Sequence, residues 1–266
     1  MFSDIFTLID FLKYQKKIKR VFFFESSFIE NHLAPYVDKN KNIDETIIIS
    51  LYKTQNNNLK KFKIFQVNKL FFLNLFFLLL KTKYCYSSTP DIDHSAFQRS
   101  VFKKTKYIYI QHSPVGLIKI FRDNALTNFD VVQVVNTFQK NDLINISKRK
   151  NKKIKAWQGK YLFLGDENNE KFSFNINKQE RKKILIAPTW GTDFFNLNIH
   201  LTIKKNLNPS EYDIFIRPHN MSILNNKNLI SDLIQNNFQI SKGKINFNQY
   251  DLLITDWSGL YIEFGC

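Results

Sequence analysis

The feature that most constrains the fold is a series of short apolar runs, each too short for a helix and each cut off by a polar residue or a proline. They read KRVFFFE at 19–25, TIIISL at 46–51, IFQV at 64–67, YCYS at 84–87 and YIYIQ at 107–111. VVQVV at 131–135, ILIA at 184–187, IFIR at 214–217 and LLIT at 252–255 continue the series. β-Branched and aromatic residues dominate, and bounded runs of about 4–8 such residues are buried strands. Helical stretches lie between them: 26–37, with Ser26 or Ser27 as its cap, and 70–80, LFFLNLFFLLL. Strands buried on both faces and alternating with helices predict an α/β chain of parallel sheets covered by helices.

At 266 residues the chain is long enough for two ordinary domains. The polar segment 165–183, GDENNEKFSFNINKQERKK, is the best boundary. It predicts an N-terminal domain over 1–165 and a C-terminal domain over 166–266, the latter with three strand runs. No internal repeat is visible.

Composition excludes some classes. Two cysteines, Cys85 and Cys266, provide neither a disulfide framework nor a metal-ligand spacing, and a reducing cytosol is the default. The first twenty residues place their basic cluster after the apolar part and lack a small-residue cleavage site, unlike a signal peptide. The run 70–80 is well short of the roughly 20 residues that span a bilayer, so it reads as a buried helix, with a membrane-surface helix as the alternative. Lysine and arginine (39) exceed aspartate and glutamate (23), giving +16. That charge suits a phosphate-bearing substrate, an anionic membrane face or nucleic acid without choosing among them.

The prolines locate the chemistry. Of six, four fall just after a strand run: Pro90, Pro114, Pro188 and Pro218. A proline stops a strand and stiffens the loop that leaves it, and ligands bind at those carboxyl ends in open parallel sheets. The loops carry Ser87, Ser88, Thr89 and Asp91; Gln111, His112 and Ser113; Thr189 and Trp190; and Arg217, His219 and Asn220. His112 and His219 are so placed, and histidine serves as acid, base or phosphate ligand near neutral pH. Arg217 adds a planar fork suited to phosphate, or to a surface ion pair. His32, His94 and His200 read as ordinary solvated or hydrogen-bonded histidines.

The last stretch, YDLLITDWSGLYIEFG at 250–265, reads as strand, small polar turn and helix start. The amides of Ser258, Gly259 and Leu260 would then lie at a helix N-terminus, where an anion is favoured. An ordinary turn with Ser258 as N-cap fits the same residues.

IQHSPVG at 110–116, APTW at 187–190, RPH at 217–219 and DLLITDWSGLYIEF at 251–264 follow one another in an order that resembles the CDP-glycerol glycerophosphotransferases of teichoic-acid synthesis. The resemblance runs from about Tyr84 onward, and the last motif is the most specific. It implies a GT-B fold, two Rossmann-like domains facing each other across a cleft, with the second domain incomplete here. It also implies transfer of glycerol phosphate or ribitol phosphate from a CDP-activated donor to a hydroxyl of a surface polymer or lipid-linked glycan. In that reading His112 is the base on the acceptor, while His219, Arg217, Thr189, Ser258 and Gly259 hold the donor phosphates. Gln111, Ser113 and Asp256 lie within reach of substrate. No metal and no cofactor are expected, and the place of action is the cytoplasm, at the inner face of the membrane.

The sequence departs from the family pattern at His-Ser-Pro, at Trp257 and Gly259 of the turn, and at Asn220 after RPH. A GT-B glycosyltransferase using a nucleotide sugar would look much the same. A non-catalytic basic binding protein is the third reading, resting on the run KRKNKKIK at 148–155. No DNA- or RNA-binding motif accompanies that run, so nucleic acid is not an expected partner, and contact with anionic lipid is the better use for it.

Overall fold

The computed structural model describes residues 2–39, 42–54, 56–93, 97–159, 181–243, 245–256 and 258–264. The chain divides into two compact units, Met1–Asp166 and Glu167–Cys266. Most of the polar segment 165–183, together with His94 and Trp257, lies outside the described residues.

The first unit is built on seven strands: β1 (Arg20–Phe24), β2 (Thr46–Ser50), β3 (Lys63–Gln66), β4 (Tyr84–Ser87), β5 (Lys106–Tyr109), β6 (Val131–Val134) and β7 (Lys155–Gln158). All neighbours are parallel and the order is β3-β2-β1-β4-β5-β6-β7. The chain builds outward from β1 to β3, crosses back, and builds outward again from β4. Loops leaving β1 and β4 therefore diverge, opening a crevice at their carboxyl ends.

Both faces are covered because the apolar runs alternate inward on each side. On one face, α1 (Phe2–Tyr14), α3 (Leu70–Leu78) and α5 (Thr137–Arg149) close over Phe23, Ile47, Ile49, Phe65, Tyr107 and Tyr109. On the other, α2 (Ser27–Asp38) lies over Phe22, Phe24, Ile48 and Ile110. The run at 70–80 is thus a core helix, with Phe72, Leu73, Phe76 and Phe77 buried. Ser26 caps α2, its Oγ accepting from the Ile29 amide at 3.3 Å.

The second unit holds β8 (Lys182–Ile186), β9 (Tyr212–Ile216), β10 (Gln239–Ile240) and β11 (Leu252–Ile254), all parallel in the order β10-β9-β8-β11. Its direction reverses between β8 and β11. The helices α6 (Ile199–Asn206) and α8 (Leu229–Gln235) enclose a core of Ile184, Ile186, Phe194, Ile216, Leu233 and Phe238. Short helices α7 (Asn220–Asn225) and α9 (Leu260–Phe264) follow β9 and β11, and a single turn, α4 (Leu117–Ile120), follows β5.

Each apolar run is a strand, with ends shifted by a residue or two. The second sheet has four strands where the sequence showed three. Its fourth, β10, is a two-residue pair on β9, too short to register as a run. β7 was hidden in the same way behind the lysines that precede it.

Candidate functional site

The sequence-derived site residues form two sets, one at the carboxyl ends of the strands in each unit. In the first unit, the Ile110 amide continues the β4–β5 ladder by donating to the Ser87 carbonyl at 2.8 Å. One residue later the ladder ends. The Gln111 amide donates instead to Oε1 of Gln133 at 3.1 Å, and Nε2 of Gln133 donates to the Tyr36 hydroxyl at 2.7 Å. A buried side chain thus replaces backbone where β5 turns away, as a buried amide requires.

The loop after β5 is held from α5. Nε2 of Gln139 donates to the carbonyls of Ser113 (2.9 Å) and Val115 (2.8 Å), and Nδ2 of Asn136 donates to that of Pro114 (2.9 Å). Gly116 closes the loop. A Cβ there would meet a carboxylate oxygen of Asp142 at 3.0 Å.

His112 stands at the head of this loop. The Tyr109 hydroxyl lies 2.6 Å from its Nδ1, and the His32 ring faces it edge-on with centroids 6.1 Å apart. Burial lowers the His112 pKa to about 4, against the opposing pull of a hydrogen bond to the Ser88 backbone. Burial, and then the charge His112 would carry, lowers that of His32 to about 3. Both imidazoles are neutral at pH 7. The side-chain amide of Gln111 and the hydroxyl of Ser88 are buried without a hydrogen-bond partner among the described residues, an arrangement uncommon in folded proteins. Ser113 has the humbler role of a turn, its Oγ accepting from the Val115 amide at 3.5 Å.

The second set surrounds the reversal between β8 and β11. Thr189 and the exposed Trp190 follow β8; Arg217 and His219 follow β9; Asp256, Ser258 and Gly259 follow β11. Asp256 braces the loops, its carboxylate accepting from the Thr189 amide at 2.8 Å and the Thr192 hydroxyl at 3.4 Å. The Thr255 hydroxyl donates to the Ala187 carbonyl at 2.6 Å. Nη2 of Arg217 donates to the Gly243 carbonyl at 2.7 Å, which orients the guanidinium. Trp190 and His219 lie side by side with ring centroids 6.4 Å apart.

His219 caps α7, its Nδ1 accepting from the Met221 amide at 3.1 Å. Burial lowers its pKa. A neutral imidazole whose Nδ1 accepts must carry its proton on Nε2, so His219 offers a fixed donor without needing a positive charge. Ser258 accepts from the Leu260 amide at 3.3 Å, the ordinary turn role the sequence allowed. Among the described residues, no three histidine, cysteine, aspartate or glutamate side chains group as metal ligands.

Two Rossmann-like sheets, with the candidate site loops at their carboxyl ends, match solved structures over nearly the whole chain. The fold is GT-B. The wall teichoic acid polymerase TagF, in a CDPG soak, superposes with a TM-score of 0.57 at 14% identity, over 94% of this chain and 68% of that one. Staphylococcus aureus MnaA with UDP gives 0.58 at 12% identity, over 93% and 76%. A UDP-N-acetylglucosamine 2-epimerase from Listeria monocytogenes gives 0.56 at 10%, over 91% and 75%. No family model matches the chain, and no curated protein matches it in sequence.

Sequence reasoning passed over two residues of the first unit, one in α2 and one just after β1. His32, read as an ordinary histidine, is buried beside His112. Glu25 follows β1 directly, exposed, with Oε2 accepting from the Thr89 hydroxyl at 2.8 Å across the β1–β4 reversal. A strand-end rule applied to acids as well as histidines would have found it. His200 is buried among Phe194, Phe195 and Phe238, a core histidine.

Proposed function

We propose that this chain transfers glycerol phosphate or ribitol phosphate from a CDP-activated donor to a hydroxyl of a cell-surface polymer or lipid-linked glycan, releasing CMP at the inner face of the membrane. The observation that carries the reading is the Met221 amide donating to Nδ1 of His219 at 3.1 Å, which leaves Nε2 as the donor, on the same post-strand loop as the Arg217 guanidinium. Together with Thr189, Ser258 and Gly259 they form a cradle for a diphosphate. The first set suits the other substrate. His32 and His112 are neutral, and the unpartnered Gln111 amide and Ser88 hydroxyl include both donors and acceptors, which favours a hydroxyl-bearing acceptor over an anion.

The acceptor oxygen attacks the phosphorus of the phosphoalcohol. A new P–O bond forms, the bond from that phosphorus to the oxygen bridging to CMP breaks, and its electron pair leaves with CMP. The acceptor proton goes to the imidazole of His112, whose ring the Tyr109 hydroxyl holds in place at Nδ1. Charge gathering on the leaving group is met by Arg217 and His219.

A nucleotide-sugar glycosyltransferase is the second reading, because the fold superposes as well on MnaA solved with UDP as on TagF. The released nucleotide separates the two. Incubation with CDP-glycerol, CDP-ribitol and UDP-sugars, followed by nucleotide analysis, should give CMP from a CDP-alcohol. UDP from a UDP-sugar, with no CMP, would establish sugar transfer instead.

A further inference from the structure

The run at 70–80 becomes a core helix, yet its first turn does not join the core. Leu70 and Phe71 are 59% and 67% exposed, and Phe6 of α1 is 68% exposed. These side chains share one end of the first unit. The Asp4 carboxylate accepts from the amide and Nδ2 of Asn68, at 3.2 and 3.0 Å, pinning the start of α1 to the residues just before α3. Phe6 and Asn68 line the same groove.

Along α1 the outward face continues from Phe6 through Ile9, 44% exposed, to the exposed Lys13. Spacings of three and four keep these three on one stripe, while Asp4 and Phe11 face inward. The exposed Lys16 and Lys17 follow in the 3-10 turn Gln15–Lys17 that ends the helix. Lys69 is exposed beside Leu70. The carboxylate nearest the stripe, Asp10, is engaged by Lys63 at 2.9 Å. Single exposed apolar residues are ordinary, whereas several large ones together rimmed by one sign of charge mark a docking surface.

We propose that this face, the outer stripe of α1 with the first turn of α3, seats the protein on an anionic lipid bilayer, with Phe6, Leu70 and Phe71 entering the interface and the lysines meeting the headgroups. The occupant is a bilayer because large exposed apolar groups (Phe6, Ile9, Leu70, Phe71) and exposed cations (Lys13, Lys16, Lys17, Lys69) share this face, the pairing by which a peripheral surface meets acyl chains and anionic headgroups. No helix among the described residues is long and apolar enough to cross a membrane, so the contact is peripheral. The run at 148–155 is a different surface: it begins in the last turn of α5 and leads into the amino end of β7. This proposal extends the reading of a membrane-borne acceptor. Binding is measured without donor, so that the two ideas can fail separately.

The experiment is co-sedimentation of the full chain with phosphatidylcholine vesicles, with and without phosphatidylglycerol. Partitioning is expected onto the phosphatidylglycerol vesicles, lowered about tenfold by Phe6→Asp and again by Phe71→Asp. Neutralising Lys13, Lys16 and Lys17 to Gln should weaken it about fivefold per lysine at low salt. Both aspartate variants sit at exposed positions and should release nucleotide from a water-soluble acceptor reaction as the wild type does. Absence of partitioning, or aspartate variants that bind vesicles like the wild type, would overturn the proposal. So would a concentration-dependent dimer that these variants dissociate, since the face would then belong to a second copy.

Discussion

The Tyr109 hydroxyl lies 2.6 Å from Nδ1 of His112. Tyr109 is fully buried in the core of the first sheet, against Phe121 and Phe129, so a rigid phenol orients an imidazole just past the carboxyl end of β5. Tyr109→Phe keeps the ring and removes that contact. Stability should change by only about 1 kcal/mol, while kcat should fall about tenfold or more through loss of ring orientation. The acceptor KM and the affinity for CDP should hardly move. Steady-state kinetics beside a CDP titration check this; equal losses in CDP affinity would mean Tyr109 acts only through the fold.

His32 gives the first unit a pH-dependent stability. Its folded pKa, about 3, lies below the ordinary value of 6.5. Between those values the unfolded chain binds a proton that the folded chain does not, so stability is highest above 6.5 and falls as pH falls. From pH 6.5 to 5 one such histidine costs about 2 kcal/mol. His112, depressed to about 4, acts in the same direction. Denaturant unfolding at pH 7 and pH 5 should show the loss in the wild type and a smaller one in His32→Leu. Identical losses in both proteins would remove His32 from the account.

Gln133 is a single side chain standing in for lost sheet bonds, linking the Gln111 amide to the Tyr36 hydroxyl. Gln133→Leu strands a buried amide and should cost about 1–3 kcal/mol. Gly159→Ala strikes the same residue, since its Cβ would fall 2.6 Å from Nε2 of Gln133, and about 1–3 kcal/mol is expected there too. The double variant should lose less than the sum, because both act on one network. Thermal unfolding of the three variants tests that non-additivity.

Asp256 braces the Thr189 amide and the Thr192 hydroxyl, so under the proposed function it acts on the donor by positioning Thr189. Asp256→Ala frees the Thr189 amide and should raise the donor KM about tenfold, whereas Asp256→Asn keeps one acceptor and should lose less. An Asn variant as impaired as the Ala variant would instead point to a direct role for the charge.

Much of this architecture could be read from the residues, and the misses have physical causes. Each apolar run is a strand because burial on both faces demands continuous hydrophobicity, and prolines mark the loops because the ladder must stop there. β7 escaped because it is an edge strand, Lys155–Gln158, mostly exposed and following a lysine run; such edges carry charge that discourages further pairing. At the candidate site, His112 and His219 were legible as strand-end histidines. The His32 contact was not, because it depends on how α2 lies over the sheet. Nor was the His219 tautomer, which is decided by the Met221 amide. The apolar run at 70–80 told of burial and concealed that its first two residues point outward.

The most direct test of the central claim, that Arg217 and His219 hold a nucleotide diphosphate, is calorimetric titration of CDP into the wild type, Arg217→Ala and His219→Ala. The account predicts a single binding event, weakened about tenfold to a hundredfold in each variant. It also predicts that His219→Gln, which retains a donor near the Nε2 position, keeps more affinity than His219→Ala. CDP binding of equal strength in all of them, or none in the wild type, would contradict it.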